Sequence, residues 1–148
     1  MEEIPDQPER AIKPKRPNLL TILCILTFIG SGMNFFSNMI IAAFHNNNAF
    51  TKTAQTVAEQ FKLPGIDLIL DSPPAFFLAS GIMYIFSFAG ALLMWNFRKT
   101  GFHLYTIAQI LLIITPMYFL KMPAPSILDI LFSGIFIILY SVHLKNFS

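Results

Sequence analysis

The chain of 148 residues carries 10 Lys and Arg against 8 Asp and Glu; hydrophobic residues make up 55% of it and charged ones 12%. A soluble domain carries about 25% charged residues, so this surface could not keep so apolar a chain in water, and the mean hydropathy of +0.61 agrees. A soluble enzyme, a disulfide scaffold and a wholly disordered chain are excluded, which leaves an integral membrane protein. Net charge is +2 and the pI about 8.8. No Lys/Arg patch interleaves with aromatics, so there is no footprint for nucleic acid. The lone Cys24 lies in an apolar block and reads as a small hydrophobe.

In residues 1–17 four acids (Glu2, Glu3, Asp6, Glu9) are followed by four bases (Arg10, Lys13, Lys15, Arg16), with Pro5, Pro8, Pro14 and Pro17 among them. That composition cannot bury a core and predicts a disordered cytoplasmic tail. The apolar stretch Leu19–Phe44 is 26 residues long. A secretory signal has an apolar run of only about 7–15 residues, so this stretch reads as a retained first membrane helix. A bilayer core about 30 Å thick needs roughly 20 apolar residues at 1.5 Å each. On that measure the chain predicts an all-α membrane protein. Four transmembrane helices at about 19–44, 75–97, 102–120 and 127–144 form an antiparallel bundle within a domain over 18–148.

The loop 45–74 carries Phe50, Ala54, Val57, Ala58 and Phe61 at helical spacing and predicts a short amphipathic helix ended by Pro64-Gly65. It reads either as a lid that meets a ligand or partner, or as a helix resting on the outer lipid surface. Arg98-Lys99-Thr100-Gly101 predicts one tight hairpin, and 121–126, with two prolines, another. Arg10, Lys13, Lys15, Arg16, Arg98, Lys99 and Lys145 fall on one side, and Lys52, Lys62 and Lys121 on the other. The excess of bases puts both termini in the cytoplasm, with Lys15, Arg16, Arg98 and Lys99 as topology determinants. Trp95, Tyr105, Tyr118 and Tyr140 read as aromatic anchors at the membrane interfaces.

Catalytic chemistry is not visible. No HExxH, CxxC, GxSxG or phosphate-loop pattern occurs. His103 and His143 fall at one end of the predicted bundle and His45 at the other, too far apart for one metal site. No catalytic residue, cofactor or metal is expected. Asp129, at the start of the fourth helix, reads as an N-terminal acid, with pairing to Lys121 or proton acceptance as alternatives.

The first helix places Gly30, Asn34 and Asn38 at steps of four on one face, flanked by Thr27, Ser31 and Ser37. An amide has no partner in lipid, so this face is expected to meet other helices, where small residues permit close approach. Ser80, Ser87 and Gly90 on the second helix, Thr106 and Gln109 on the third, and Ser133 and Gly134 on the fourth are their candidate partners. Gly30, Asn34, Asn38, Ser80, Ser87 and Gln109 are therefore the candidate site, read either as polar glue between helices or as the lining of a polar cavity.

The run Arg16-Pro17-Asn18-Leu19-Leu20-Thr21-Ile22-Leu23-Cys24-Ile25-Leu26-Thr27-Phe28-Ile29-Gly30-Ser31-Gly32 resembles the opening of small four-helix membrane proteins of Bacteroidetes-type bacteria. The segment Met94–Tyr105 is similar to the basic, Gly-aromatic opening of their third helix. The resemblance implies a bacterial cytoplasmic membrane and brings neither an activity nor catalytic residues. The expected function is that of a multi-pass, non-enzymatic membrane protein: an assembly or accessory subunit partnered by the lipid bilayer and by copies of itself or another membrane protein. The alternative is a small-solute transporter or channel working as an oligomer. A membrane-embedded lipid enzyme is the remote third reading, because it lacks a nucleophile with its base.

Overall fold

The computed structural model describes residues 17–62, 66–121 and 124–147. In chain order these form α1 (Asn18–Phe44), α2 (Asn48–Phe61), α3 (Ile66–Leu70), α4 (Pro74–Trp95), α5 (Lys99–Phe119) and α6 (Ile127–Val142), then a 3₁₀ turn over Leu144–Asn146. No strand occurs among the described residues. The tail over 1–16, Lys15 and Arg16 with it, and the Pro64-Gly65 stop lie outside the described residues.

Three helices, α1, α4 and α5, are long and apolar enough to cross a membrane. The helix expected over 127–144 forms over Ile127–Val142. α6 is apolar but has 16 residues, about 24 Å at 1.5 Å each, against a bilayer core of about 30 Å. Ile22, Ile29, Phe36, Ile82, Ile107 and Ile138 are among many large apolar side chains that stay exposed, far more apolar surface than a water-soluble monomer shows.

The hairpin expected over 98–101 is tighter than predicted. The amides of Asn96, Phe97 and Arg98 turn back onto the carbonyls of Leu92, Leu93 and Met94. Phe97 takes a left-handed backbone (φ 58°) to do so, and α5 starts at Lys99. Beyond the turn, α4 and α5 come together at two glycines. A Cβ added at Gly101 would lie 2.6 Å from the Gly90 carbonyl oxygen, and one at Gly90 2.7 Å from the Tyr105 amide nitrogen. No other residue type fits this crossing without moving a backbone.

Residues near the start of α1 share a buried cluster with the end of α4, the start of α5 and the end of α6: Leu20, Leu23, Cys24, Ala91, Met94, Tyr105, Tyr140 and Phe147. At the other end, His45 packs on Phe77 (5.9 Å between ring centroids) and Phe76 on Phe119 (6.1 Å). These contacts make α1, α4, α5 and α6 run alternately up and down. α4 packs along both α1 and α5, whereas α6 touches α1 and α5 at few points. On the far end α2 starts on the Asn47 side chain, which accepts from the Ala49 and Phe50 amides. Its stripe divides: Ala58 is buried, Phe50 and Ala54 are half-buried, and Val57 and Phe61 are exposed.

Candidate functional site

At mid-height one chain of hydrogen bonds joins all four long helices. The Ser31 hydroxyl on α1 donates to Ser87 Oγ on α4 at 3.1 Å. Gln109 Nε2 on α5 donates to the same Ser87 oxygen at 3.1 Å. Ser133 on α6 donates to Gln109 Oε1 at 2.8 Å. Ser87 is wholly buried and is the hub. In an apolar setting each of these groups would otherwise lack a partner, so the bonds help fix the register of the four helices.

Nearer the buried cluster, about one turn along α1 and two along α6, Thr27 and Tyr140 share a second inter-helix hydrogen bond of 2.9 Å, and the Tyr105 and Tyr140 rings stack edge-on at 5.1 Å. Tyr105 and Tyr140 are therefore core residues, 3% and 0% exposed, and not the interface anchors that their places in the sequence predict. Tyr118, 78% exposed, remains at the surface. Trp95 packs on Phe28 with ring centroids 5.9 Å apart.

The asparagines depart from expectation. Asn34 donates to the Gly30 carbonyl and Asn38 to the Asn34 carbonyl, each at 2.8 Å and within α1. Neither amide bonds across helices, because the carbonyl four residues back lies within reach of a short amide. Each Nδ2 thereby uses one of its two N–H donors, and each Oδ1 is left as an acceptor. Gly30 is not a packing contact either: a Cβ there would meet nothing within 4 Å, and the same holds at Gly134. The close approach expected of small residues falls at Gly90, one of the candidates, and at Gly101.

What Asn34 and Asn38 line is a cavity between α1, α4, α5 and α6. It has two adjoining lobes of about 290 and 470 Å³ that share Asn34, Tyr84, Gln109, Phe132 and Ser133. The larger lobe reaches up to Asp129 and Ile69, and takes in Asn38, Ser80, Phe76, Phe77 and Pro116. The smaller lobe runs down to Thr27, Tyr105 and Phe136, beside the Thr27–Tyr140 bond. From Asp129 to Phe136 is seven residues of helix, about 10 Å. The larger lobe thus lies toward the α2–α3 end and the smaller toward the Arg98–Lys99 end.

Of the candidate residues, the structure brings Ser87 and Gln109 into direct contact and places Gly30, Asn34, Asn38 and Ser80 on the cavity wall. Ser31, Ser133 and Tyr84 join them. Tyr84 is the residue that sequence reasoning overlooks, although a tyrosine mid-way along an apolar helix signals a hydroxyl in need of a polar setting. Arg98 and Lys99 are exposed at the α4–α5 turn. His143 Nδ1 lies 2.9 Å from the Leu139 carbonyl, and His103 is exposed. Among the described residues no group of three His, Cys, Asp or Glu is placed to hold a metal ion. Comparison with family models, with curated proteins and with solved structures finds no match to this chain.

Proposed function

We propose that this chain is a multi-pass, non-enzymatic membrane protein that takes a small polar solute into the cavity between its four long helices, as a transporter working in an oligomer. The reading includes a fourth crossing by α6, completed by the 3₁₀ turn that follows it, and both termini in the cytoplasm. By the positive-inside rule the Arg98–Lys99 turn is then cytoplasmic and the larger lobe lies on the outer side. The cytoplasmic membrane of a bacterium is the setting implied by the resemblance of the first helix and central hairpin.

The observation that carries this reading is the use to which the polar residues are put. The Ser31–Ser87–Gln109–Ser133 chain meets the bundle's need for polar contacts within one molecule, while Asn34 and Asn38 bond their own helix and line the cavity. A cavity of 470 Å³ falls in the range of small-molecule sites, about 300–1,000 Å³. A second reading, the accessory subunit, is favoured by the sparse packing of α6 on α1, which leaves a seam where a partner's helix would fit.

Proteoliposomes challenged with glycerol, urea, glycine and ethanolamine separate the two. Saturable uptake of at least one solute, lost in Asn34→Leu at unchanged oligomer mass, is expected. No uptake of any of the four, with Asn34→Leu shifting oligomer mass or losing a copurifying membrane partner, would overturn the transport reading in favour of the subunit.

A further inference from the structure

The geometry points to a primary ammonium group as the ligand of the cavity mouth, held by Asp129 and the Asn38 carboxamide oxygen among the rings of Phe76, Phe77, Tyr84 and Phe132. This deepens the solute reading above and rests on it. The lining decides the sign of the ligand. Among the described residues the two lobes hold no Lys, Arg or His. Asp129 is the one acid in the four long helices, and it lines the larger lobe. It forms no ion pair with Lys121 among the described residues.

The N-terminus of α6 contributes about +0.5 of an elementary charge beside it, so one carboxylate still leaves the mouth negative. The uncharged polar groups lean the same way. Asn34 and Asn38 each commit one of two N–H donors to an α1 carbonyl and keep an oxygen with two acceptor sites. Pro116 has no amide hydrogen to give the Leu112 carbonyl, and both residues line the same lobe. An acceptor-rich, acid-bearing pocket binds a group with several N–H donors and a positive charge, and aromatic faces attract that charge further. An anion would meet a carboxylate without a base to offset it. A divalent metal would find a single carboxylate where such ions take several oxygen ligands.

The test uses the full chain in phosphatidylcholine nanodiscs and three probes on one carbon frame: ethanolamine, ethylene glycol and glycolate. Calorimetric titration should show saturable binding of ethanolamine, with ethylene glycol and glycolate weaker by about tenfold or more, the worth of a charge-assisted hydrogen bond. Asp129→Asn should weaken ethanolamine about tenfold while leaving ethylene glycol unchanged. Asn38→Leu, whose parent side chain bonds only its own helix, should weaken ethanolamine in a protein of unaltered melting temperature.

The same ammonium is found on phosphatidylethanolamine, so discs containing that lipid distinguish the sources. Competition by the lipid assigns the site to a headgroup, its absence assigns it to a free amine, and either supports the ammonium assignment. Equal binding of ethanolamine and ethylene glycol, or full ethanolamine binding by Asp129→Asn, would overturn that assignment while sparing the solute reading. Binding of none of the three, together with no uptake of glycerol, urea or glycine, would overturn both.

Discussion

The same substitution, glycine to alanine, should have opposite signs at two places in this bundle. At Gly101 the new Cβ would lie 2.6 Å from both the Gly90 carbonyl oxygen and the Met94 amide nitrogen, where ordinary contact begins at 3.4 Å. The obstructing atoms are backbone, so no rotamer change relieves the contact; α4 and α5 must part by about 0.8 Å. A gap of that size forfeits roughly a quarter to a half of the dispersion energy of each atom pair across the crossing. Buried Ala91, Met94, Tyr105 and Ala108 are the side chains placed there.

Overpacking of this kind costs about 1–3 kcal/mol, and the better helix propensity of alanine returns at most about 1 kcal/mol. Gly101→Ala is therefore expected to destabilise by about 1–2 kcal/mol. At Gly30 and Gly134 a Cβ meets nothing within 4 Å, so only the propensity acts and the change is between zero and about 1 kcal/mol stabilising. Equilibrium unfolding in mixed micelles, with the variants measured side by side, reads the difference. A Gly101→Ala protein as stable as Gly30→Ala, to within about 0.5 kcal/mol, would refute the close crossing of α4 and α5, since that precision is well inside the gap predicted.

Two further substitutions test the polar layer in the same assay. Ser87→Ala removes the acceptor of both Ser31 and Gln109 and leaves a buried hydroxyl and a half-buried amide donor without that partner, so a loss of about 1–3 kcal/mol is expected. Ser31→Ala should cost less, because Gln109 keeps its bond to Ser87; equal losses would mean that Ser87 is not the hub. Thr106 Oγ1 is the one buried side-chain oxygen among the described residues that has no hydrogen-bond partner. Thr106→Val keeps the shape and removes that oxygen, so stability should hold or rise by up to about 1 kcal/mol, and a loss above that would show a partner for the hydroxyl.

How much was readable in advance depended on how local the cause was. Apolar blocks long enough to hold their own backbone hydrogen bonds identify α1, α4 and α5 at once, because that requirement is met within each segment. The stripe Phe50–Phe61 gave α2 for the same reason. The start of α5 was misread because Lys99 and Thr100 look like loop by composition, yet polar side chains at a helix end point outward and leave the backbone free to wind. The asparagines share a face, as their spacing requires, but spacing does not say whether an amide bonds the neighbouring helix or its own carbonyl one turn back. Nor does it say which glycines meet. Gly90 and Gly101 form a crossing only because the three-residue turn at Asn96–Arg98 sets the register between α4 and α5, and that register depends on a left-handed backbone at Phe97, a residue type that gives no such warning.

The two kinds of contact divide the bundle into a frame and a wall. Lipid is as apolar as leucine, so helices in it are held by close packing and by polar bonds rather than by a hydrophobic drive. α1, α4 and α5 have the close packing: backbone against backbone at Gly90 and Gly101, and the buried cluster around Leu20, Ala91 and Met94. α6 is tied to them chiefly through side chains, by Ser133 to Gln109 and by Tyr140 to Thr27. Such bonds are worth about 0.6–1.7 kcal/mol each in a membrane, comparable with the loss predicted for one misplaced methyl group at Gly101. α6 also contributes Asp129, Phe132, Ser133 and Phe136 to the cavity. The helix held most weakly is thus the one that forms the charged wall of the pocket, so a ligand bridging Asp129 to Asn38 on α1 adds a tie where the bundle has fewest. Bound ethanolamine should accordingly raise the unfolding midpoint of the native protein and leave that of Asp129→Asn where it was; an equal shift in both would place the ligand away from this wall.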